Sequence, residues 1–215
     1  MSEVNISNLA LGRLAVGQAI ASMSEASTPA RLCNRFYAQC RREVLQAFPW
    51  SHASYAVAIA AEATQTYPGW TYVYGYPQNV LRLHAVSDSS GIRNAMTYVR
   101  AGRWADYEQL IRNQMPFQVA LRTDGAARVI LSDMPSAYAF GVYDVSNTAT
   151  YPPDFISVLA WRLAMEVGGP LNARADLIDR AQTQYFLWMS RAGARDLNES
   201  RDDTVPESPS IAVRM

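Results

Sequence analysis

The spacing of apolar residues predicts two helices at the start of the chain. Apolar side chains recur at helical spacing over residues 5–23, on an arc wider than a simple surface stripe. We expect such a helix to be buried on two sides, within the fold or by a neighbouring subunit. A second helix is predicted at Arg31–Phe48, with Ser27 or Thr28 as its N-cap and Pro29 in the first helical position.

Aromatic and β-branched residues become frequent over residues 50–150, and turn signals separate them. Asp124 and Gly125 fit a two-residue hairpin turn, because both residue types accept the positive φ angles of that turn. Ser87–Gly91 reads as a loop. Strands are predicted at Trp70–Tyr74, Phe117–Thr123, Arg128–Ser132 and Ala137–Val145. A strand or a short helix fits Tyr55–Ala63 and Val80–Val86, and a short helix fits Asp106–Gln114.

Two further helices are predicted near the C-terminus. The first follows Tyr151-Pro152-Pro153 and stops at Gly168-Gly169-Pro170, since glycine accepts the left-handed conformation of a helix end. The second runs over residues 172–194, and the polar chain beyond Asp196 loses periodicity. The residues that line these two helices are Ile156, Leu159, Leu163 and Val167 in the first, and Leu177, Ile178, Ala181, Tyr185, Trp188 and Ala192 in the second.

The order of elements predicts an α+β fold. It is an antiparallel helical bundle with an inserted small antiparallel β module and an extended C-terminal tail. The predicted parts are an N-terminal helical pair at 1–50, an aromatic-rich β module at 51–150, a helical pair that completes the bundle at 151–196, and a tail at 197–215.

Charge narrows the possible functions. The chain has 215 residues and a formal net charge of zero, and all 19 basic residues are arginine. A neutral chain argues against a protein that binds nucleic acid by neutralising phosphates, although DNA can still pass such a protein. The sequence contains no apolar run of ~18 residues and opens without the pattern of a secretion signal, so we expect neither a membrane span nor export by that route.

The candidate chemistry is sparse. Cys33 and Cys40 are seven apart on a predicted helix, which separates them by ~10 Å, so we expect two buried thiols and no disulfide. His52 and His84 lack partners at metal-ligand spacing and are expected to be structural. No nucleophile, phosphate-binding or dinucleotide motif is present. Carboxylates such as Glu43, Glu62 and Glu108 leave open an acid/base pair for glycoside cleavage.

Two other features allow more than one interpretation. The five tryptophans and 12 tyrosines are spread evenly, which is more typical of core and subunit interfaces than of a stacking platform for sugars or bases. The acidic residues before the tail form either a solvated linker or a tether whose apolar end binds a partner. They are Asp196, Glu199, Asp202 and Asp203.

The layout over residues 5–200 resembles the head-to-tail adaptor family of short-tailed bacteriophages, also called tail tubular protein A. Several diffuse motifs carry the resemblance through their order, while residues 87–115 look longer than the family pattern. The motifs are the helix at 5–23, the Arg31–Phe48 helix closed by Pro49-Trp50, the turn Tyr67-Pro68-Gly69-Trp70 with Tyr76-Pro77 downstream, the Asp124-Gly125 hairpin with Val129-Ile130-Leu131, Tyr151-Pro152-Pro153-Asp154-Phe155 with the following Leu159–Ala164 helix, and the last helix with Ala181 and Tyr185.

The resemblance implies a virion structural protein without catalysis, cofactor or metal. Such adaptors form a homo-oligomeric ring, usually of twelve copies, between the portal protein and the tail nozzle protein, and DNA passes through the channel. The β module is then expected to face the nozzle, and the C-terminal segment to reach the portal. The residues expected to bind the portal are Val205, Ile211, Val213 and Met215. Assembly would take place in the host cytoplasm, and the final location is the head–tail junction of the virion.

Two alternatives come from other functional classes. One is a tail-associated cell-wall glycoside hydrolase, which needs a cleft with two close carboxylates. The other is a cytoplasmic helical binding module, which would be a monomer with its apolar helix faces covered internally.

Overall fold

The computed structural model describes residues 1–100 and 116–199, and it has an α+β fold. The helices are α1 Glu3–Arg13, α2 Thr28–Ala47, α3 Ser89–Arg100, α4 Pro153–Gly168 and α5 Ala175–Glu199. The strands are β1 Ser54–Ala58, β2 Tyr72–Gly75, β3 Val80–Ser87, β4 Phe117–Leu121, β5 Arg128–Ser132 and β6 Tyr138–Tyr143. A short 3-10 helix at Thr148–Thr150 precedes α4. The helix predicted at Asp106–Gln114 lies outside the described residues.

The first helix is shorter than predicted. α1 ends at Arg13 instead of near residue 23, and Ala15 follows in the left-handed conformation with φ 54°. The chain then folds back on α1, where the side-chain amide of Asn8 donates to the Ile20 carbonyl at 2.9 Å and accepts from its N–H at 2.8 Å. The apolar residues after α1 therefore belong to a packed return segment. Helical spacing over residues 5–23 could not distinguish that segment from a longer helix.

The second helix is confirmed. The Ser27 hydroxyl accepts from the Ala30 N–H, and a proline occupies the first turn, as the sequence indicated. The buried face carries Cys33, Cys40 and Val44, each with no exposed surface. Both cysteines are free thiols.

The helices α1, α2 and α5 all pack against α4. α4 is lined by apolar residues that are fully buried in the main core, including Phe155, Leu159 and Leu163. The Arg13 guanidinium donates to the Ser157 carbonyl at 2.8 Å and lies 3.9 Å from the centre of a Trp161 ring, which fastens α1 to α4.

The six described strands form two three-stranded antiparallel sheets. Their strand orders are β1-β6-β3 and β2-β5-β4. The sheets pack face to face around Tyr74, Ile130 and Ala139. The opposite face of the first sheet packs against α3 through Phe140 and against the helical core through Val142.

Strands β4 and β5 form a hairpin as predicted, but its loop is longer. Arg122 N donates to the Ala127 carbonyl, so residues 123–126 form the loop instead of a two-residue turn. Gly125 alone in this loop has a positive φ, at 74°. The Asp124 side chain accepts from the Ala126 N–H, which stabilises the longer turn.

The predicted loop at Ser87–Gly91 is largely incorrect. Strand β3 continues to Ser87 and α3 begins at Ser89, so Asp88 is the residue between them. Its carboxylate accepts from the Ser90 N–H, the Ser90 hydroxyl and the Gly91 N–H. The backbone bond from Gly91 and the Ser90 hydroxyl hold the pKa of this carboxyl below its ordinary value. The serine-rich stretch is thus the start of a helix.

The glycine pair ends α4, but not by the predicted geometry. Gly169 has φ −62°, and the left-handed residue is Asn172 with φ 51°. The Ala173 N–H donates to the Gly168 carbonyl, which closes the turn around Asn172. Helix α5 begins at Ala175 and continues to Glu199, five positions beyond the predicted end at residue 194.

Candidate functional site

Helix α5 exposes apolar side chains on the face turned away from the core. Phe186 is 61% exposed and Leu187 39% exposed, whereas Ala181 and Ala192 on the opposite face are buried. The predicted stripe of this helix, including Tyr185 and Trp188, packs against the main core. The exposed pair lies outside that stripe, so the sequence pattern gave no reason to select it.

Helix α1 also carries an exposed apolar residue. Leu9 is 40% exposed, while its neighbours Ile6 and Ala10 are fully buried.

The C-terminal end of α5 is fastened to the segment that follows α2. The Asp196 carboxylate accepts from the Ser51 N–H at 2.9 Å and from the Ser51 hydroxyl at 2.7 Å. Asp196 is only 8% exposed. Of the two interpretations of the acidic residues before the tail, the solvated linker does not apply to Asp196, because its carboxylate accepts two hydrogen bonds inside the fold.

Close packing supports the same junction. A Cβ atom on Gly193 would lie 3.0 Å from the ring of Phe48, so glycine allows α5 to approach the end of α2. Arg195 donates to Asp154 at the start of α4, at 2.8 Å. We call Phe48, Ser51, Gly193 and Asp196 the α5 anchor. In the sequence, the one indication that α5 packs closely against another element is the glycine in Ala192-Gly193-Ala194.

An aromatic cluster lies beside the anchor and contains His52. Its ring centre lies 4.7 Å from that of Phe155 and 5.8 Å from that of Tyr151. Burial lowers the pKa of His52 to about 4, although the nearby Asp196 carboxylate acts in the opposite direction. Neither ring nitrogen has a hydrogen-bond partner in the structure. His52 is therefore a packing residue that is neutral at pH 7.

His84 is also buried, at 6% exposure, in the first sheet, and its ring centre lies 5.9 Å from that of Phe140. Burial, helped by the charge of Arg82, lowers its pKa to about 4. The thiols of Cys33 and Cys40 are buried, and burial raises the pKa of both, that of Cys40 to about 12. Within residues 1–100 and 116–199, no group of three or more metal-binding side chains lies together.

Of the carboxylates considered for catalysis, the two that the structure describes, Glu43 and Glu62, lie in different ion pairs. Glu43 contacts Arg162 at 2.6 Å, and the same guanidinium nitrogen contacts Glu166 at 2.5 Å. Burial disfavours the charged form of Arg162, but the two carboxylates outweigh this effect and raise its pKa. Arg162 therefore shares one guanidinium nitrogen between Glu43 and Glu166. This cluster ties α2 to α4.

The other predicted carboxylates lie elsewhere. Glu62 lies near Arg122 of the hairpin, at 3.8 Å, and Glu108 is outside the described residues. The residues expected to bind the portal, Val205, Ile211, Val213 and Met215, are also outside them, together with all of residues 200–215. The structure therefore describes the point where the tail begins, at the end of α5.

The segment before β2 is held against the second sheet. Gly69, with φ 83°, and the Trp70 N–H bond to the Tyr67 carbonyl form the predicted turn. Trp70 and Tyr67 pack on Val129 and its neighbours, and the Tyr67 hydroxyl donates to the Leu121 carbonyl at 2.5 Å. Val119 and Leu121 of the outer strand β4 remain 39% and 62% exposed.

No known protein-family model and no curated protein matches this chain. Within the described residues, none of the helices combines the length and hydropathy needed to cross a bilayer.

Proposed function

We propose that this chain is a virion structural protein, a head-to-tail adaptor of a short-tailed bacteriophage that forms a ring between the portal and the tail nozzle and has no catalytic role. The observation that carries the proposal is the pair Phe186 and Leu187, exposed on a long helix whose opposite face is already buried. Exposed apolar side chains on such a face favour its burial against another protein surface. In a closed ring, every copy has a neighbour that covers this face.

In this proposal α1, α2, α4 and α5 form the helical bundle of the ring wall, and the β module is inserted between the two helical pairs. The α5 anchor supports the assignment of the tail, because Asp196 and Gly193 hold the end of α5 in place just before residues 200–215 begin. A tail that starts from a fixed point can deliver Ile211, Val213 and Met215 to an adjacent portal ring. DNA passes through the channel without specific binding, in keeping with the zero net charge.

Native mass measurement of the purified protein, with and without purified portal rings, tests the proposal. We expect a ring, or a monomer that assembles on portal rings at micromolar concentration. A protein that stays monomeric and never binds portal rings would contradict the adaptor function and favour the binding-module alternative. Hydrolysis of cell-wall glycan that is lost on substitution of Glu43 or Glu166 would favour the hydrolase.

A matched pair of variants tests the role of α5. If Phe186 is a hot spot of the interface, Phe186→Ser should weaken ring formation about 30-fold, because truncating an aromatic hot spot costs about 2 kcal/mol or more. Leu121→Ser is the control, since Leu121 on β4 has nearly the same exposure, 62% against 61%. Equal weakening by both variants would remove the reason for assigning the interface to α5. Deletion of residues 200–215 should abolish portal attachment and leave thermal unfolding unchanged.

A further inference from the structure

The outer face of α2 carries a line of exposed arginines. Arg31, Arg35 and Arg42 lie within about 40° of one another around the helix axis, since successive residues of an α-helix are rotated by about 100°. Arg82 of β3 continues the line, because its exposed side chain donates to the carbonyl of Gln46 in the last turn of α2, at 3.4 Å. We call these four arginines the arginine stripe.

Most of the stripe lacks a counter-charge within the described parts of the chain. Arg31 contacts the Thr28 hydroxyl at 3.2 Å, and the Arg35 guanidinium lies 5.4 Å from the centre of the Phe36 ring. The bond of Arg82 is to a carbonyl group, which carries no full charge. None of these arginines therefore forms an ion pair with a described carboxylate.

The carboxylates that do lie in this region are shared with other cations. Asp144 contacts Arg42 at 2.8 Å, but the buried Arg41 contacts the same carboxylate at 2.8 Å, so one carboxylate serves two guanidinium groups. Glu43, the single carboxylate in α2, contacts Arg162 of α4 at 2.6 Å. The stripe therefore keeps an excess of positive charge.

The exposed side chains beside the arginines are uncharged. They are Asn34, Ala38, Gln39 and Gln46. None of them repels an anion, and the Asn34 amide can donate to a phosphate oxygen. Over its described length, Thr28–Ala47, α2 exposes no aromatic ring on which a base could stack. This face therefore suits an anionic backbone and offers nothing that recognises bases.

The length of the stripe suits a polyanion with closely repeated charges. From Arg31 to Gln46 the stripe extends about 22 Å along α2, at roughly 1.5 Å per helical residue. One DNA strand carries a phosphate about every 3.4 Å along its axis, so the stripe can meet about six phosphates. Each guanidinium then has an anion within reach, whereas an acidic protein segment would need carboxylates at a matched spacing. The zero net charge of the whole chain does not exclude this local excess.

We propose that the arginine stripe binds the phosphate backbone of nucleic acid without reading its base sequence. The inference goes beyond the proposed function, because it needs neither a ring nor a portal. Contacts with phosphates carry no sequence information, so they are compatible with passage of DNA without specific binding. With Arg31, Arg35 and Arg82 uncompensated, binding is weak and falls with salt. The slope of log K against log salt concentration is about −2.7, at roughly −0.9 per phosphate contact.

Fluorescence anisotropy of a labelled DNA duplex, titrated with the full chain at several salt concentrations, measures this slope. Arg31→Gln with Arg35→Gln removes two of the three uncompensated groups, so the slope should fall to about a third of the wild-type value. The matched control is Arg180→Gln with Arg191→Gln on the exposed side of α5, which changes the net charge equally. The slope of this control should equal that of the wild type.

Absence of duplex binding by the wild type at about 20 mM salt and about 100 μM protein would overturn the proposal. An equal reduction of the slope by both double variants would also overturn it, because binding would then follow net charge alone. So would displacement of the duplex by polyglutamate as effective as that by unlabelled duplex, which would assign the stripe to an acidic protein segment. A chain that binds the duplex through the stripe but neither forms a ring nor binds portal rings would instead count against the adaptor function alone.

Discussion

Substitution of Asp196 tests the α5 anchor most directly. Asp196→Ala removes an acceptor of two hydrogen bonds, at 2.9 Å from the Ser51 N–H and 2.7 Å from the Ser51 hydroxyl. Hydrogen bonds to charged groups contribute about 1.5–3 kcal/mol each. Ser51 is only half-buried, so its hydroxyl can turn to water, while its N–H loses a partner. We therefore expect a loss of about 2–3 kcal/mol in the free energy of unfolding.

Urea unfolding of matched variants measures this loss. Asp196→Asn keeps one acceptor oxygen and should cost about 1 kcal/mol, as should Ser51→Ala, which removes only the hydroxyl donor. The double variant Ser51→Ala with Asp196→Ala should be less destabilised than the sum of the single changes, by about 1 kcal/mol, because the two share one bond. Asp179→Ala, an exposed change on the same helix, should stay within about 0.5 kcal/mol.

Hydrogen exchange distinguishes local from global effects. If α5 frays without global unfolding, the amides of residues 190–199 should exchange faster in Asp196→Ala while the unfolding curve changes little. An unfolding free energy within 0.5 kcal/mol of wild type, together with unchanged exchange in this segment, would show that Asp196 does not hold α5.

The remaining predictions concern the sheets and the histidines. Gly141→Ala should lower the free energy of unfolding in urea by at least about 2 kcal/mol, because its Cβ would lie 2.5 Å from the Arg82 carbonyl oxygen and the backbone must shift. Gly12→Ala is the control, since a Cβ at Gly12 meets nothing within 4 Å. An unchanged urea midpoint for Gly141→Ala, or an equal effect of the control, would refute this packing argument. Burial lowers the pKa of His52 and His84 to about 4 from 6.5, so only the unfolded chain takes up these protons as the pH falls below 6.5. Stability should be complete above pH 6.5 and decrease towards pH 4, by about 2 kcal/mol per histidine at pH 5. Urea titrations at pH 7 and pH 5 measure this, and His52→Gln should remove about half of the decrease; a flat profile would mean that the histidines are not buried in neutral form.

Local sequence signals predicted several elements well. The Ser27 cap and the proline of the first turn located the start of α2, and Tyr67-Pro68-Gly69 located a turn, because in both cases the deciding contacts lie within four residues. The same kind of signal was misleading at α1. Apolar spacing continued past Arg13, although the chain reverses there through Ala15 and packs against Asn8.

The anchor was beyond the reach of such signals. Ser51 and Asp196 are 145 residues apart, and an aspartate before a polar tail has the same local pattern whether it is solvated or buried. The ion pairs of Arg162 include one that the sequence indicates and one that it does not. The contact with Glu166 follows from i,i+4 spacing on one helix, whereas the contact with Glu43 depends on the packing of α2 on α4.

The sequence by itself determined the α+β class, the start and the buried face of α2, and the absence of a bond between the thiols of Cys33 and Cys40. These properties depend on residue type and short-range periodicity, which the chain carries wherever it folds. Only the tertiary structure decided that the strands divide into two sheets, that α1 ends early, and that Asp196 is a buried acceptor instead of a linker charge. It also decided that Phe186 and Leu187 are exposed. Exposure and ion pairing depend on which elements meet, and that is settled by the joint packing of apolar surface from distant parts of the chain.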